Sequence, residues 1–178
     1  MLDYLKSYNI SALFAENLFV KSLSAQVDVA IHAYGILLAL PLILDSDESI
    51  EYLSLGAGNT GKPYDVSTTK RVAEFKFAKW NKKNNVIRQN NLFTNFLELA
   101  IDKKTKTRKK YIYCYNSDAV TTFLETSGRS LESVLSRNSK NKKYPAIASK
   151  FKTVKSFYEQ YKNEVFIESL EKILGQED

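Results

Sequence analysis

Apolar residues near the N-terminus recur at helical spacing. Ser11 is suited to an N-cap, and residues 12–23 carry apolar side chains around most of a helical circumference, which predicts a mostly buried helix. A second helix is predicted over 25–40, because Pro41 removes a backbone donor and would stop or kink it there. Glu16 falls on the apolar side of the first helix, so we expect this carboxylate inside the fold.

From Ile50 onward the helical spacing gives way to the alternation that is typical of strands. Three short strands in close succession predict a meander. A helix follows, with Asn84 or Asn85 as its N-cap and its end near Ile101, and a basic loop then leads into a fourth strand. The predicted order is therefore helix, three strands, helix, strand. The strands are predicted over 51–55, 64–68, 72–80 and 111–115.

The last third of the chain predicts mainly helices and carries no recognisable chemistry. The state of the segment from Val165 is left open, and we expect this third to pack against the core or to shape a substrate surface. The length of 178 residues fits one domain. We divide it into a core over 11–115 and a mainly helical extension over 118–178. Helices are predicted in the extension over 119–125, 129–136 and 149–163.

A net charge of +6 favours polyanionic partners such as nucleic acid. Its distribution is more informative, because lysines and arginines concentrate on either side of the helix predicted to end near Ile101. A solvated loop and strand face would explain the same pattern, so phosphate contact is one of two open interpretations. The candidate nucleic-acid contacts are Lys79, Lys82, Lys83, Arg88, Lys103, Lys104 and Lys106.

Cys114 is the only cysteine, which excludes a disulfide framework or a zinc cluster built from this chain alone. We expect it to be a small buried strand residue. The first seven residues mix acids and bases without a signal-like apolar run. The longest apolar stretch, 33–44, falls short of the roughly 20 residues that span a bilayer. We therefore expect a cytoplasmic protein without a membrane partner.

Asp65, Glu74 and Lys76 form the constellation that could carry chemistry. Glu74 and Lys76 lie two positions apart in a predicted strand, so they share a face and stand about 6.5 to 7 Å apart. The turn near Thr69 can place Asp65 across from Glu74. Two carboxylates suit a hard cation such as Mg²⁺, which polarises a phosphoryl oxygen and acidifies bound water, and a lysine would stabilise the developing charge. Ordinary polar residues on an outer strand face are the alternative.

The order Asp65, then Glu74-Phe75-Lys76, resembles the D…(D/E)-x-K signature of the PD-(D/E)XK nuclease superfamily, although proline stands two positions before the first acid, at Pro63. The predicted element order resembles its α-β-β-β-α-β core. The resemblance implies an α/β, restriction-endonuclease-like fold with a mixed central sheet flanked by helices. It also implies a metal-dependent nuclease that hydrolyses phosphodiester bonds of nucleic acid, with DNA as the preferred expectation and RNA open. Asp65 and Glu74 would hold Mg²⁺, or Mn²⁺ as a substitute, and Lys76 would assist the attacking water.

Two further positions match residues of that superfamily, the first carried by many of its members and the second by some. Glu16 matches a glutamate on the first core helix that faces the metal. Gln89 matches a catalytic glutamine in the first turn of the helix after the third strand. Gln89 lies in an apolar stripe with Phe93 and Phe96, where an unpaired amide would be costly. For both residues, a buried polar group that finds its partner within the protein is an open alternative.

A glycine-rich stretch offers a rival motif. Residues 56–62 fit G-x-x-x-x-G-K, but Pro63 replaces the Ser or Thr that would bind Mg²⁺, and the next segment is strand-like where a phosphate-binding loop needs a helix. A turn beside the metal site is the preferred interpretation. The only histidine, His32, lies four residues after Asp28, and we expect a structural contact between the two.

The main alternative function is a nucleic-acid-binding module that keeps the nuclease fold without cutting. Basic charge with interleaved Tyr, Phe and Trp80 would suffice for it. The presence of both acids and the lysine favours the nuclease, and a purely structural role ranks third. The sequence does not decide the oligomeric state, and a homodimer is open.

Overall fold

The structure is a computed structural model that describes residues 10–56, 62–80, 86–136 and 144–175. It has an α/β fold in which helices pack on both faces of a mixed, open, five-stranded sheet. The strands are β1 (Ile50–Leu53), β2 (Val66–Thr68), β3 (Arg71–Lys76), β4 (Lys109–Cys114) and β5 (Val165–Ser169). The helices are α1 (Ile10–Ile43), α2 (Val86–Ile101), α3 (Ser117–Thr126), α4 (Leu131–Ser136), α5 (Pro145–Lys150), α6 (Val154–Tyr161) and α7 (Leu170–Ile173).

The strands lie side by side in chain order, β1-β2-β3-β4-β5. The first three form an antiparallel meander, as the alternating pattern predicts, whereas β4 is parallel to both β3 and β5. Parallel neighbours need a crossover connection. Helix α2 supplies the crossover from β3 to β4, and helices α3 to α6 supply the one from β4 to β5.

The alternation of side chains along β3 separates two hydrophobic cores. Val72 belongs to the larger core, which the sheet shares with α2, α3, α4 and α6. Ala73 and Phe75 belong to the smaller core on the other face, together with residues of α1 and α7. Because alternate strand residues share a face, Glu74 and Lys76 lie on the side of Val72 and point towards α2.

The C-terminal third is mainly helical, as expected, and it completes the larger core. The ring of Phe157 on α6 lies 5.7 Å from that of Phe93 and 6.2 Å from that of Phe96, both on α2. The segment that the sequence left open forms β5 at the sheet edge. A five-residue strand with alternately exposed side chains has a weak pattern of its own, and pairing with β4 defines it.

The two N-terminal helices predicted from the sequence form one continuous helix, α1, of 34 residues. Pro41 lies near its C-terminal end and does not separate it from a second helix. The prediction that the first part is mostly buried was wrong, because residues 15–24 are all exposed. Only the last turns reach the sheet, where Ile36, Ala39 and Leu40 pack against it.

Gly35 allows α1 to approach the end of β3 closely. A Cβ atom built at Gly35 would lie 2.2 Å from Cε1 of Phe77, well inside van der Waals contact. The Phe77 ring in turn stacks on Phe75 at 5.8 Å. This contact fixes the position of α1 relative to the strand that carries Glu74 and Lys76.

By length and composition alone, Ala15–Ile43 of α1 could cross a membrane. The sequence prediction considered only the shorter run 33–44, which the structure joins to the preceding turns. One such helix is weak evidence, because the core helix of a soluble protein and an N-terminal signal sequence meet the same criteria.

An ion pair fastens the acidic loop after α1 to the start of β3. Arg71 donates from Nε and Nη2 to the two carboxylate oxygens of Glu48 at 2.7 and 2.6 Å, and Thr68 Oγ1 also donates to this carboxylate. The Glu48 side chain is fully buried. Burial raises the pKa of Glu48, but the bonds from Arg71 and Thr68 outweigh that effect, so the pKa lies below its usual value.

Candidate functional site

The register of β2 against β3 brings Asp65 to Glu74. Val66 pairs with Ala73 and Ser67 with Val72, so the same register continued by one residue sets Asp65 opposite Glu74. The Asp65 amide donates to the Ala73 carbonyl at 2.9 Å, which extends the ladder to this point. The juxtaposition of the two acids that the sequence predicts is therefore present.

The Asp65 carboxylate is held by groups on two sides. Oδ2 accepts a hydrogen bond from the Phe75 amide at 2.8 Å, and Oδ1 lies 3.4 Å from His32 Nε2. The His32 nitrogen is buried and makes no hydrogen bond within the described part of the chain. The sequence pairs this ring with Asp28. In the structure it faces Asp65, and both His32 and Asp28 line the cleft in front of that acid.

Glu74 is a buried carboxylate with two donors on one oxygen. Oε1 accepts from Lys76 Nζ at 2.5 Å and from Asn95 Nδ2 of α2 at 2.8 Å. Burial raises the pKa of Glu74 to about 7; the Lys76 ammonium opposes this shift, and the Asp65 charge adds to it. The ionised form of Glu74 is thus costly in this pocket and gains from a nearby positive charge.

A cleft of about 480 Å³ opens in front of these groups. Helix α1 contributes Asp28 and His32 to its wall, α2 contributes Arg88, and Asp65, Glu74 and Lys76 come from the sheet. The cleft therefore combines three carboxylates, one imidazole and two cationic side chains. A phosphate group with a divalent cation would match this mixture of charges.

The side chains that could act as metal ligands determine what kind of metal site the cleft can form. Within the part of the chain that the structure describes, no three His, Cys, Asp or Glu side chains are grouped to hold one ion. Mg²⁺ often takes only one or two protein carboxylates and completes its shell with waters and substrate phosphates. Asp65 and Glu74 fit that kind of site. Glu74 would then have to exchange part of its contact with Lys76 for the cation.

Glu16 does not belong to this cleft, and its predicted role as a metal ligand is corrected. Its side chain is exposed on α1, sixteen residues before His32, which is about 24 Å along the helix axis. Residues 15–24 of α1 are all exposed, so this part of the helix does not pack on the sheet. Asp28 is the α1 acid that lines the cleft.

The predicted catalytic role of Gln89 is corrected as well. Its Oε1 accepts a hydrogen bond from Arg129 Nη1 at 2.9 Å, so the amide finds its partner within the protein. The amide that reaches the site from α2 belongs to Asn95. Asn95 lies seven residues, or two turns, after Arg88 and so shares its helical face. That periodicity was the signal that could have identified Asn95.

The basic residues lie at two ends of the sheet. Arg88 lines the cleft, and Lys79 is exposed just beyond the end of β3. The exposed Lys103, Lys104 and Lys106 precede β4, whose first residues pair with the start of β3. They are therefore at the opposite end of the sheet from Lys76, about 17 Å away by strand rise alone.

Several predicted features fall outside the residues that the structure describes. These are Lys82 and Lys83 among the candidate nucleic-acid contacts, the N-cap at Asn84 or Asn85, and most of the glycine-rich turn, 57–61. The prediction for Cys114 is confirmed, since it is a buried strand residue.

Searches of protein-family models, curated proteins and solved structures each found no match to this chain. The functional interpretation therefore depends on the geometry of the cleft and on the resemblance of its residues to the nuclease signature.

Proposed function

We propose that this chain is a metal-dependent nuclease on a restriction-endonuclease-like fold, which hydrolyses phosphodiester bonds of nucleic acid, preferentially DNA, in the cytoplasm. The observation that carries the proposal is the alignment of Asp65 with Glu74 across two paired strands, with Lys76 on the same face and the cleft in front of them. The α/β architecture with a mixed sheet between helices supports it.

In this proposal Asp65 and Glu74 would hold Mg²⁺, with Mn²⁺ as a substitute. The ion, when bound, polarises a phosphoryl oxygen and lowers the pKa of a coordinated water. Lys76 would stabilise negative charge on the phosphate, because its side chain lines the cleft next to Glu74. The Phe75 amide holds Asp65 by a hydrogen bond, and the His32 ring lies against the other carboxylate oxygen. Arg88 borders the cleft, where a guanidinium can contact a second phosphate.

One observation favours the non-catalytic alternative, a nucleic-acid-binding module on the same fold. Oε1 of Glu74 already accepts from Lys76 and Asn95, so the fold itself supplies this carboxylate with a cationic and an amide partner. A site of this kind could keep the acids for structural reasons and use the surrounding cations for binding alone.

The deciding experiment incubates purified protein with plasmid, linear duplex, single-stranded DNA and RNA in Mg²⁺, Mn²⁺ or EDTA. We expect cleavage with either cation and none with EDTA. Glu74→Gln should abolish cleavage, whereas Glu168→Gln, the same change at an exposed strand residue, should not. Unchanged cleavage by Glu74→Gln contradicts the proposal. Binding without cleavage in any condition supports the alternative.

A further inference from the structure

A second, smaller cavity adjoins the cleft. Its volume is about 150 Å³, and it shares Lys76, Ala78 and Arg88 with the cleft as common walls. The rest of its lining is largely apolar and includes Trp80 and Leu92. A ligand that occupies the cleft can therefore extend into this cavity without leaving the protein surface.

The walls of the small cavity are held in place by the surrounding fold. Trp80 is 9% exposed, its carbonyl accepts a hydrogen bond from Asn116 Nδ2 at 3.0 Å, and its ring lies 5.6 Å from that of Phe123. Asn116 caps α3 from a left-handed backbone conformation, which asparagine tolerates better than most residues. The end of β4 and the start of α3 supply Cys114 and Val120 to the opposite wall.

The chemistry of this lining suits a planar heteroaromatic ring. Trp80 and Tyr115 offer aromatic surface, Leu92 offers aliphatic surface, and the Asn91 amide can both donate and accept a hydrogen bond. Aromatic side chains in nucleic-acid-binding proteins stack on bases, and side-chain amides read base edges. The cationic side chains, by contrast, lie where the small cavity meets the cleft, on the side where a phosphate would sit.

Deepening the proposed nuclease function, on which this step rests, we infer that the small cavity binds one unstacked pyrimidine base next to the phosphate held in the cleft. The volume of about 150 Å³ matches one six-membered ring, since a cavity of that volume holds one benzene. The two fused rings of a purine would extend beyond it, so a pyrimidine is the preferred occupant. A base in a duplex is paired and stacked, so the substrate is single-stranded or locally opened nucleic acid.

Trp80 makes the inference directly measurable, because it is the only tryptophan in the chain. Its fluorescence is followed in EDTA while the protein is titrated with single-stranded pentathymidylate, pentaadenylate or a fully abasic pentamer. We expect saturable quenching by the thymidylate. The abasic pentamer should bind roughly 5- to 150-fold more weakly, which is the contribution of one stacked base. Pentaadenylate should bind more weakly and quench less than the thymidylate, because the purine ring system is larger than the cavity.

Three variants localise the effect. Asn91→Ala, at an exposed position of α2, should weaken thymidylate binding about fivefold, which corresponds to one hydrogen bond of about 1 kcal/mol. Val120→Phe, which fills the cavity, should abolish the quenching; circular dichroism checks its fold. Ile87→Ala, exposed on the same helix and outside both cavities, is the matched control and should bind as the parent does.

The inference is overturned if the abasic pentamer binds as tightly as thymidylate, if adenylate quenches equally, or if folded Asn91→Ala binds as the parent does. Because the titration contains no divalent metal, it is independent of cleavage. Saturable quenching without cleavage in the Mg²⁺ assay would support the base pocket and contradict the nuclease activity. Cleavage without base-dependent quenching would support the nuclease activity and contradict the base pocket.

Discussion

His32 Nε2 lies 3.4 Å from Asp65 Oδ1, and this buried nitrogen makes no hydrogen bond with any residue that the structure describes. The imidazole reaches Asp65 from α1, while the Phe75 amide holds the other carboxylate oxygen from the sheet. Asp65 therefore receives one contact from each of two structural layers. We conclude that His32 is a positioning residue for the acid that faces Glu74.

Replacing His32 tests this positioning role. His32→Phe keeps an aromatic ring to pack on Phe77, which contacts the His32 ring edge-to-face at 5.7 Å, but it removes the nitrogen. Loss of such a supporting contact typically costs 10- to 100-fold in metal affinity or activity. We expect the Mg²⁺ concentration for half-maximal cleavage to rise within that range, with little change in thermal stability. Tyr34→Phe, at an exposed position of α1, is the control. A lower rate with an unchanged Mg²⁺ requirement would show that His32 does not act through Asp65.

The Glu48–Arg71 ion pair should make the free energy of unfolding depend on pH in the acid range. Because the folded-state pKa of Glu48 lies below its ordinary value of 4.5, its contribution is complete above that pH and is lost as the pH falls through the folded pKa. Glu48→Gln should therefore lower the free energy of unfolding by about 2 kcal/mol at neutral pH. The difference from the parent should shrink below pH 4.5. Denaturant titrations at several pH values measure it, and a difference independent of pH would contradict the assignment.

Substitution of Gly35 tests the close contact between α1 and Phe77. Gly35→Ala gains about 1 kcal/mol of helix propensity, but overpacking costs typically 1 to 3 kcal/mol, so we expect a net loss of stability. A smaller side chain at position 77 should relieve the clash. The double variant Gly35→Ala, Phe77→Leu should then be more stable than the sum of the single effects predicts, as chemical denaturation can establish. Additive effects would mean that the ring moves aside without strain.

The parts of this fold that the sequence predicts are those that depend on local pattern. Alternation in β3 predicts the shared face of Glu74 and Lys76, and the short turn before it predicts the approach of Asp65. The errors have a common physical origin. The helical period predicts which residues of α1 share a face, but it does not predict how far along the helix the sheet extends. The sequence therefore predicts a core around Glu16, and the sheet does not extend that far.

Partners that are distant in sequence account for the other errors. Gln89 bonds to Arg129, forty residues later, and no local pattern links the two. Likewise β5 is defined by its pairing with β4 across the whole α3–α6 crossover. His32 is the only histidine in the sequence, yet its contact with Asp65 depends on how α1 packs against the end of the sheet.

The basic loop before β4 gives the last prediction, which concerns affinity and not chemistry. Lys103, Lys104 and Lys106 are exposed at the end of the sheet opposite the cleft, so they can contact only a distant part of a bound strand. Lysines that reach phosphates release counterions, and each duplex phosphate contact contributes about 0.9 to the slope of log affinity against log salt. The triple alanine variant should flatten that slope and weaken binding, while cleavage at saturating substrate stays near the parent rate.

A matched triple variant separates a local contact from a general loss of charge. Lys152, Lys155 and Lys172 are also exposed, so changing them to alanine removes the same three charges elsewhere. If the loop contacts the substrate, only the variant of Lys103, Lys104 and Lys106 should show a smaller slope of log affinity against log salt. Counterion release requires phosphates at the lysines themselves. Equal slopes in both variants would make the loop a solvated surface. The substrate path would then be sought along Arg88, which lines the cleft, and the exposed Lys79.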